Sequence, residues 1–397
     1  MAATLIWARR MSDTLPTIET LREVNRSFPF TEPMRRWKGQ GKHIVGWGCS
    51  YVPEEIISAA DLLPVRITGD AREMPTDEGD AHLYTVVCSY VRTLLQLGLE
   101  GQYDFLDGFV TTASCDGMRR LRDMWKYYVT QTPLVHIITL PRQSSPAAED
   151  FFLQEIQAFR RRLEEHFNLT ITNDALRQSI RLYNHTRQLL RNLYELRKEP
   201  NPRLSGAEIF EVVNAGVRMP RGEFNDLLAR LLQEARHSKA KRRQKLRLMI
   251  SGSCLANPDF VAGIEAEGAT VVVEDLCTGV RYWADLVEED PGLDPMRALA
   301  KRYLHNIPCA RTVGMADIRH ERLLGLAKEY RVHGVVSAAM RSCSPHAMAR
   351  PALREKFEDA GIPVLELNTE YGSGCAGPVA LRARAFLEML DPDSSLW

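Results

Sequence analysis

His43-Ile-Val-Gly-Trp-Gly-Cys-Ser-Tyr-Val-Pro-Glu-Glu-Ile-Ile-Ser-Ala-Ala-Asp-Leu-Leu-Pro-Val65 carries a strand, a turn, a helix and the start of a second strand. His43–Gly48 is a short apolar run closed by glycine, the pattern of a buried strand. Pro53 opens a helix in its first turn, where its missing N–H costs nothing. Leu63–Thr68 is apolar again and β-branched. Strands separated by a helical crossover pair in parallel, and parallel sheets bury both faces. Cys49 falls directly after the first strand, at the strand end where open α/β sheets bind ligands.

The same placement recurs along the chain. Cys115 follows Phe109-Val-Thr-Thr-Ala-Ser114, Cys254 follows Leu248-Met-Ile-Ser-Gly-Ser253, Cys277 follows Val271-Val-Val-Glu-Asp-Leu276, and Cys343 follows the run that starts at Gly334. There are eight cysteines, and none forms a C-x-x-C pair. Any one of them also fits the small buried hydrophobe that free cysteine commonly is. Their shared position after strands points instead to thiols that folding assembles for a metal or iron–sulfur centre.

The βα rhythm divides the chain. Residues 1–40 show no clear core pattern and read as a helical or irregular N-terminal segment. A first α/β domain spans 41–145, with an amphipathic helix His82–Leu97 that contains Cys88, a strand Phe105–Thr111, a helix Asp116–Tyr128 and a strand Leu134–Leu140. Residues 146–242 read as helices (Asp150–Phe167, Asp174–Lys198, Ser205–Val217, Gly222–His237), with apolar residues at three and four spacing. Ser205-Gly-Ala-Glu208 matches a capping box. A second α/β domain spans 243–397, with strands Leu246–Ser251, Thr270–Glu274, Gly334–Ala338 and Pro363–Leu367 alternating with helices. The predicted fold is α/β: two Rossmann- or flavodoxin-like parallel-sheet domains joined by a helical segment.

Composition excludes several classes. The 397 residues are 45% hydrophobic and 26% charged, with a formal net charge of zero. That balance argues against wholesale binding to nucleic acid or an anionic membrane. No run approaches the roughly 18 apolar residues of a membrane span. Met1–Arg10 is too short and wrongly flanked for a secretory signal. The expected compartment is the cytoplasm, where thiols stay reduced and disulfides are an unexpected use for them.

Motifs narrow the chemistry. No Walker A sequence is present, so no P-loop ATP site is expected in this chain. No pair of histidines spaced as in a zinc metalloprotease and no G-x-S-x-G elbow occurs. Gly372-Ser-Gly-Cys-Ala-Gly377 matches G-x-G-x-x-G but leaves only one helix of chain after it. It reads as a turn offering amides to an anion, or as a plain glycine turn. Lys239-Ala-Lys-Arg-Arg-Gln-Lys-Leu-Arg247 reads as a phosphate patch or a solvated linker. Cys115 and Cys343 each stand at the start of a helix, whose positive end favours thiolate. His346 is a candidate ligand or a hydrogen-bonded histidine. Tyr51, Glu54 and Glu55 follow the first strand. They are candidates to orient substrate or move protons, and the two glutamates also fit simple pairing with the helix dipole.

Several of these stretches, in order, resemble one family. Gly48-Cys-Ser-Tyr-Val-Pro-Glu-Glu-Ile-Ile-Ser-Ala-Ala-Asp-Leu-Leu-Pro-Val65 is similar to the opening of the family that contains 2-hydroxyacyl-CoA dehydratase subunits and the B- and C-type subunits of ATP-dependent (class I) benzoyl-CoA reductase. Cys88-Ser-Tyr90, Asp104-Phe-Leu-Asp-Gly-Phe-Val110 and Ser114-Cys-Asp-Gly-Met-Arg-Arg120 resemble its first cluster-cysteine region. Glu274-Asp-Leu-Cys-Thr-Gly-Val-Arg-Tyr282, Arg302-Tyr-Leu-His-Asn-Ile-Pro-Cys309, Arg341-Ser-Cys-Ser-Pro-His346 and Gly361-Ile-Pro-Val-Leu-Glu-Leu-Asn-Thr-Glu370 resemble its second half. The opening and the Cys88 to Cys115 segment are most like the reductase C-type subunit.

The resemblance implies one [4Fe–4S] cluster held by Cys88, Cys115 and Cys343, with the fourth iron open. It implies a heterodimer with a homologous cluster-bearing subunit. Electrons would come from a separate ATP-hydrolysing iron–sulfur activator or a ferredoxin-type donor. The substrate would be an acyl-CoA thioester, reduced by single electrons at low potential as in anaerobic aromatic degradation. Tyr51 and Glu54 are the candidate catalytic residues. Two alternatives remain: a 2-hydroxyacyl-CoA dehydratase subunit, which eliminates water through a ketyl radical, and a double-cubane or electron-transfer protein. Cys49, Cys254, Cys277, Cys309 and Cys375 have no assigned role at this level.

Overall fold

The computed structural model describes residues 15–69, 74–84, 86–238, 246–305, 309–374 and 377–391. Met1–Arg10, most of the basic run, Asn306–Pro308 and Cys375 of the glycine-rich turn lie outside the described residues.

Two four-stranded sheets organise these residues, and every pairing in both is parallel. The first contains β1 (Ile44–Trp47), β2 (Leu63–Arg66), β3 (Gly108–Thr112) and β4 (Val135–Ile138), in the order β2-β1-β3-β4. The second contains β5 (Leu246–Gly252), β6 (Ala269–Asp275), β7 (Gly334–Met340) and β8 (Val364–Thr369), in the order β6-β5-β7-β8. The orders are the same in pattern. In each sheet the chain steps to one side of the first strand and then crosses to the other. That reversal creates a crevice at the carboxyl ends, between β1 and β3 and between β5 and β7. Cys49 and Cys115 follow the strands flanking the first crevice, and Cys254 and Cys343 those flanking the second. The predicted α/β class with parallel sheets is observed.

Strand burial explains the sequence pattern. β1, β2, β3, β5 and β7 are buried at every position, so they read as continuous apolar runs rather than alternations. Gly252 permits the tightest approach: a Cβ there would lie 1.7 Å from the Ala338 carbonyl oxygen on the neighbouring strand.

The central helices are Pro146–Phe167, Asn173–Glu195, Gly206–Gly216 and Arg221–His237. Ser145, Thr172 and Ser205 cap the first three by accepting N–H bonds at 3.1, 3.1 and 3.2 Å, and Ser205 with Glu208 completes the predicted capping box. The Ser145 cap starts the first helix four residues earlier than its apolar periodicity suggests. These helices share one core with both sheets. Phe152, Phe159, Leu190 and Phe224 pack in the same cluster as Val45 and Val110 of the first sheet and Met249, Val272 and Val335 of the second. Burying each such side chain contributes about 1.5–3 kcal/mol. Arg197, 1% exposed, fixes this segment to the second sheet by donating to the carbonyl oxygens of Val271, Val272 (2.9 Å), Leu204 (3.1 Å) and Ser205 (3.0 Å).

One local expectation needs correction. Cys88 is not inside a helix. The chain forms a short helix Asp77–His82, leaves helical geometry, and restarts at Ser89–Leu99 with Cys88 in extended backbone at the N-cap. Apolar periodicity ran through the break because Leu83 and Val87 are buried on both sides of it. The N-terminal segment is regular helix where described, at Pro16–Arg26 and Glu32–Gly39, and the first of these bonds to the central helices through Asn25 and the Glu211 carbonyl (2.9 Å).

Candidate functional site

The carboxyl ends of the two sheets face one another, and the polar contacts between them define the site. Arg66, at the end of β2, donates to the carbonyl oxygen of Cys277 beyond β6 (2.8 Å) and to Ser50 Oγ (3.0 Å); Ser50 Oγ donates to the same carbonyl (2.9 Å). Tyr371, beyond β8, accepts from the Gly69 amide at its hydroxyl (2.9 Å), while its own amide donates to Ser89 Oγ (2.8 Å). Arg311 reaches back to the carbonyls of Ser114 (3.2 Å), Leu140 (3.2 Å) and Pro141 (2.6 Å). Tyr90 ties the two turns after β1 and β2 by donating to the Gly48 and Ile67 carbonyls at 3.0 and 3.2 Å.

The cysteines sit within this junction. Cys88, Cys115 and Cys343 are each half-buried and each occupies a helix N-cap, before Ser89–Leu99, Asp116–Tyr128 and Ser344–Asp359 respectively. Together with Cys254 and Cys277 they pack in one apolar cluster drawn from both sheets. Burial pushes the Cys115 thiol up to about 12, and the charges of Cys88, Cys49 and Cys309 add to that rise. Burial also raises Cys343, with Cys88, Cys115 and Cys309 adding to it. Burial raises Cys88 as well. Opposing this, a backbone amide three residues on favours thiolate in every case: Val91 for Cys88, Met118 for Cys115, His346 for Cys343. No conventional side-chain cap bond closes at these helix starts. Each thiol therefore stands at the positive end of a helix, which favours thiolate.

Thiolates are the donors that iron–sulfur clusters take. Among the described residues no three His, Cys, Asp or Glu side chains close on a single metal. A cluster accepts each thiolate on a different iron, so its ligands stand further apart. Three half-buried thiols from different elements, each aimed by a helix start, fit such a group; a fourth equivalent position is not formed by these three helices. A solvent-open cavity of about 360 Å³, lined by residues including Ser144, Glu149, Arg297 and His305, carries no cysteine in its lining and is separate from this donor set.

The remaining candidates are placed as follows. Tyr51 is 2% exposed and lies under the Arg311 guanidinium, 5.2 Å from its ring centre; burial and then the Cys309 charge raise its hydroxyl pKa. Glu54 and Glu55 begin a six-residue helix but are 1% and 0% exposed, so surface dipole pairing does not describe them. Glu54 pairs with Arg221 (3.0 Å) and accepts from Tyr282 (2.6 Å); burial still holds its carboxyl above the usual range. Glu55 pairs with Arg187 (2.5 Å) and accepts from Tyr303 (2.7 Å), and despite burial the Arg187 charge brings it below the usual range. His346 is buried, with Nε2 3.5 Å from Arg281; burial and that cation keep it neutral.

Arg281 is the residue that sequence reasoning missed most. It ion-pairs with Asp275 (3.1 Å), donates to the Asp275 carbonyl (3.0 Å) and to the Gly252 carbonyl, and reaches Cys309 Sγ at 3.8 Å. It fixes the ends of β5 and β6 and brings a buried cation among the thiols. The only signal was its place in Glu274–Tyr282, directly after a strand.

Parallel sheets with facing carboxyl ends and cysteines at both crevices define a class, and comparison with known proteins identifies it. Residues 49–390 match the family model of the 2-hydroxyglutaryl-CoA dehydratase D-component, and the chain belongs to that family. It is 28% identical to the C-type subunit of benzoyl-CoA reductase from Thauera aromatica over 90% of this chain and 93% of that protein. It is 29% identical to a putative dehydratase subunit, YjiM, of Escherichia coli over 89% of this chain and 93% of that protein. It is 25% identical to the beta subunit of (R)-2-hydroxyglutaryl-CoA dehydratase from Acidaminococcus fermentans over 90% of this chain and 95% of that protein. No helix among the described residues is long and apolar enough to cross a membrane.

Proposed function

We propose that this chain is the cluster-bearing C-type subunit of a benzoyl-CoA reductase-like enzyme acting on an acyl-CoA thioester. The observation that carries the reading is the gathering of Cys88, Cys115 and Cys343 at helix starts where the two sheets meet. These three would hold a [4Fe–4S] cluster. When bound, such a cluster supplies electrons at potentials reaching about −700 mV and, at an iron without a thiolate, a Lewis-acid corner.

This chain's own residues set the conditions around it. The helix starts stabilise the thiolates. Arg281 and Arg66 lie buried in the same junction, and their positive charges bear on the neighbouring Cys277. Tyr51, with its hydroxyl pKa raised, holds its proton at neutral pH and is the candidate to orient an acyl group or pass that proton. Glu54 acts at one remove: its carboxylate fixes the Tyr282 hydroxyl in the residue next to Arg281. Tyr84 and Val86, 78% and 75% exposed, lie just before Cys88, and this apolar pair supports the covering of that edge of the site by another protein chain. The partner would be a homologous cluster-bearing subunit, with electrons arriving from an ATP-hydrolysing iron–sulfur activator or ferredoxin-type donor.

A second reading, a 2-hydroxyacyl-CoA dehydratase subunit, is favoured by the family model's description and by relatives named as dehydratase beta subunits. Product analysis with benzoyl-CoA and with a 2-hydroxyacyl-CoA separates the two. A third, a larger cluster, is favoured by Cys49 and Cys309, whose charges reach Cys115. Iron and acid-labile sulfide analysis tests all three. The proposal expects about four of each per chain, and Cys115→Ala should lose iron and activity together. A full iron complement in that variant overturns the ligand assignment.

A further inference from the structure

The cavity beside the loop after β4 holds a second group of reactive side chains, apart from the thiols. β4 ends at Ile138, and the chain turns through residues 139–144 into the helix Pro146–Phe167. The Val313 N–H donates to the Arg142 carbonyl at 2.7 Å and holds this loop, and Ser145 caps the helix. Ser144 is the residue before the cap, Glu149 lies one turn into the helix, and His305 is the last residue of the helix Pro295–His305 that packs against it. The three side chains are joined by hydrogen bonds. Glu149 Oε2 accepts from His305 Nε2 at 2.9 Å, and His305 Nδ1 is bonded to the Ser144 hydroxyl. A carboxylate only accepts, so Nε2 carries the proton of the neutral ring and Nδ1 is the acceptor for the Ser144 O–H. All three residues line the solvent-open cavity of about 360 Å³.

A hydroxyl, an imidazole and an orienting carboxylate in that order are the constellation that activates a serine, and it is recognised by geometry rather than by sequence position. That is why the lack of a G-x-S-x-G elbow does not bear on Ser144. An amide is at hand for a developing oxyanion. Pro146 has no N–H, Ser145 Oγ takes that of Ala148 at 3.1 Å, and the Ser145 carbonyl takes that of Glu149 at 2.9 Å. Among the described residues the Ala147 N–H is left at the positive end of this 22-residue helix. The charges of the cavity select the substrate. Arg297 is held by Asp150 at 2.9 Å and Glu149 at 3.5 Å, so two carboxylates stand against one guanidinium and an anionic ligand is disfavoured. The volume lies at the small end for ligand pockets.

We propose that Ser144, His305 and Glu149 form a hydrolytic site for small uncharged carboxylic esters. Ser144 Oγ bonds to the acyl carbon as its proton passes to His305 Nδ1. The ester C–O bond breaks, and the alcohol leaves with that proton. Water then adds to the acyl carbon and gives a proton to Nδ1; Ser144 Oγ is expelled, regains that proton and frees the acid. The sum is ester plus water to acid plus alcohol, with no change of oxidation state. Glu149 is a positioning residue, which fixes the imidazole tautomer.

The test gives the full, iron-containing chain p-nitrophenyl acetate and, separately, a fluorophosphonate that labels activated serines. The tryptic peptide Gln143–Arg160 contains both Ser144 and Ser145, and its fragmentation tells them apart. Expected are saturable ester hydrolysis and a phosphonyl group on Ser144. Ser144→Ala should abolish both while keeping the parent's circular dichroism. His305→Gln should lower kcat by about 100-fold, and Glu149→Gln should lower kcat with KM unchanged. A label on Ser145 or elsewhere, hydrolysis that survives Ser144→Ala, a His305→Gln rate within about twofold of the parent, a Glu149→Gln effect on KM alone, or hydrolysis no faster than that of the unfolded chain would overturn the proposal. No cysteine takes part, so none of these outcomes decides which residues ligate a cluster, and the two readings fail separately.

Discussion

Arg66→Met tests the clamp between the sheets. Arg66 is 1% exposed and donates from Nη1 to the Cys277 carbonyl at 2.8 Å and to Ser50 Oγ at 3.0 Å; its guanidinium lies 4.9 Å from the Trp47 ring centre. Each charge-assisted hydrogen bond is worth about 1.5–3 kcal/mol, and a desolvated cation–π contact about 2 kcal/mol. Against this, methionine fills the stem's volume and removes the cost of keeping a cation dry, which recovers a few kcal/mol. Among the described residues the Arg66 Nε has no hydrogen-bond partner, so part of that cost is uncompensated there. The balance is a loss of about 3 kcal/mol, roughly a hundredfold in the folding equilibrium. Urea unfolding followed by tryptophan fluorescence measures it. Ser50→Ala combined with Arg66→Met should show about 1 kcal/mol of coupling, because both side chains hold one carbonyl. A single-variant change below about 0.5 kcal/mol, or a gain in stability, would refute the reasoning: the cation's burial cost would then equal or exceed its contacts.

Two further outcomes follow from particular residues. Gly252→Ala places a Cβ 1.7 Å from the Ala338 carbonyl oxygen, a backbone atom that cannot swing aside, and should destabilise by about 3 kcal/mol with a lowered thermal midpoint; a midpoint within a degree of the parent would contradict the close approach of β5 and β7. Glu274 is 3% exposed and burial raises its carboxyl from the ordinary 4.5 to about 7, with Tyr194 as its hydrogen-bond partner. A raised acid favours the protonated folded state, so its contribution is best below the unfolded value. Stability falls as pH rises from about 4.5 to about 7, by about 3 kcal/mol in all, and stays low above that. Glu274→Gln keeps an acceptor for Tyr194 and should flatten this part of the stability–pH curve measured by urea titration; an unchanged slope would exclude Glu274 as its source.

Much of the fold was legible because both sheets are parallel and buried. Full burial turns β1, β5 and β7 into apolar runs bounded by glycine, and helical crossovers of ordinary length separate them. The matching strand orders were not legible, since order depends on which crossover reverses direction rather than on any local run. Cys115 and Cys343 were readable as helix-start thiols because Asp116 and Pro345 mark those starts. Cys88 was not, because buried Leu83 and Val87 continue a helical pattern through a segment that is not helical. The arginine contacts escaped entirely. Arg66, Arg197, Arg281 and Arg311 each bind backbone carbonyls outside their own element, and a carbonyl acceptor leaves no trace in residue type. Glu54 and Glu55 looked like ordinary first-turn acids because their partners, Arg221 and Arg187, come from the central helices.

The arginine network also explains how a site can be built between two sheets without a local ligand loop. Each crevice by itself offers thiols from one sheet only: Cys49 and Cys115 at the first, Cys254 and Cys343 at the second. A donor set spanning both requires the two carboxyl edges to be held in fixed register, and apolar packing alone is non-directional. Arg66 on Cys277, Arg311 on Ser114 and Tyr371 on Gly69 and Ser89 supply that direction, each crossing from one half of the chain to the other. Two of the groups they engage are the carbonyls of Ser114 and Cys277, and a third is the Ser89 hydroxyl beside Cys88. The same bonds that join the sheets therefore also set the positions of the thiols, and a change that loosens the junction moves the donor set with it.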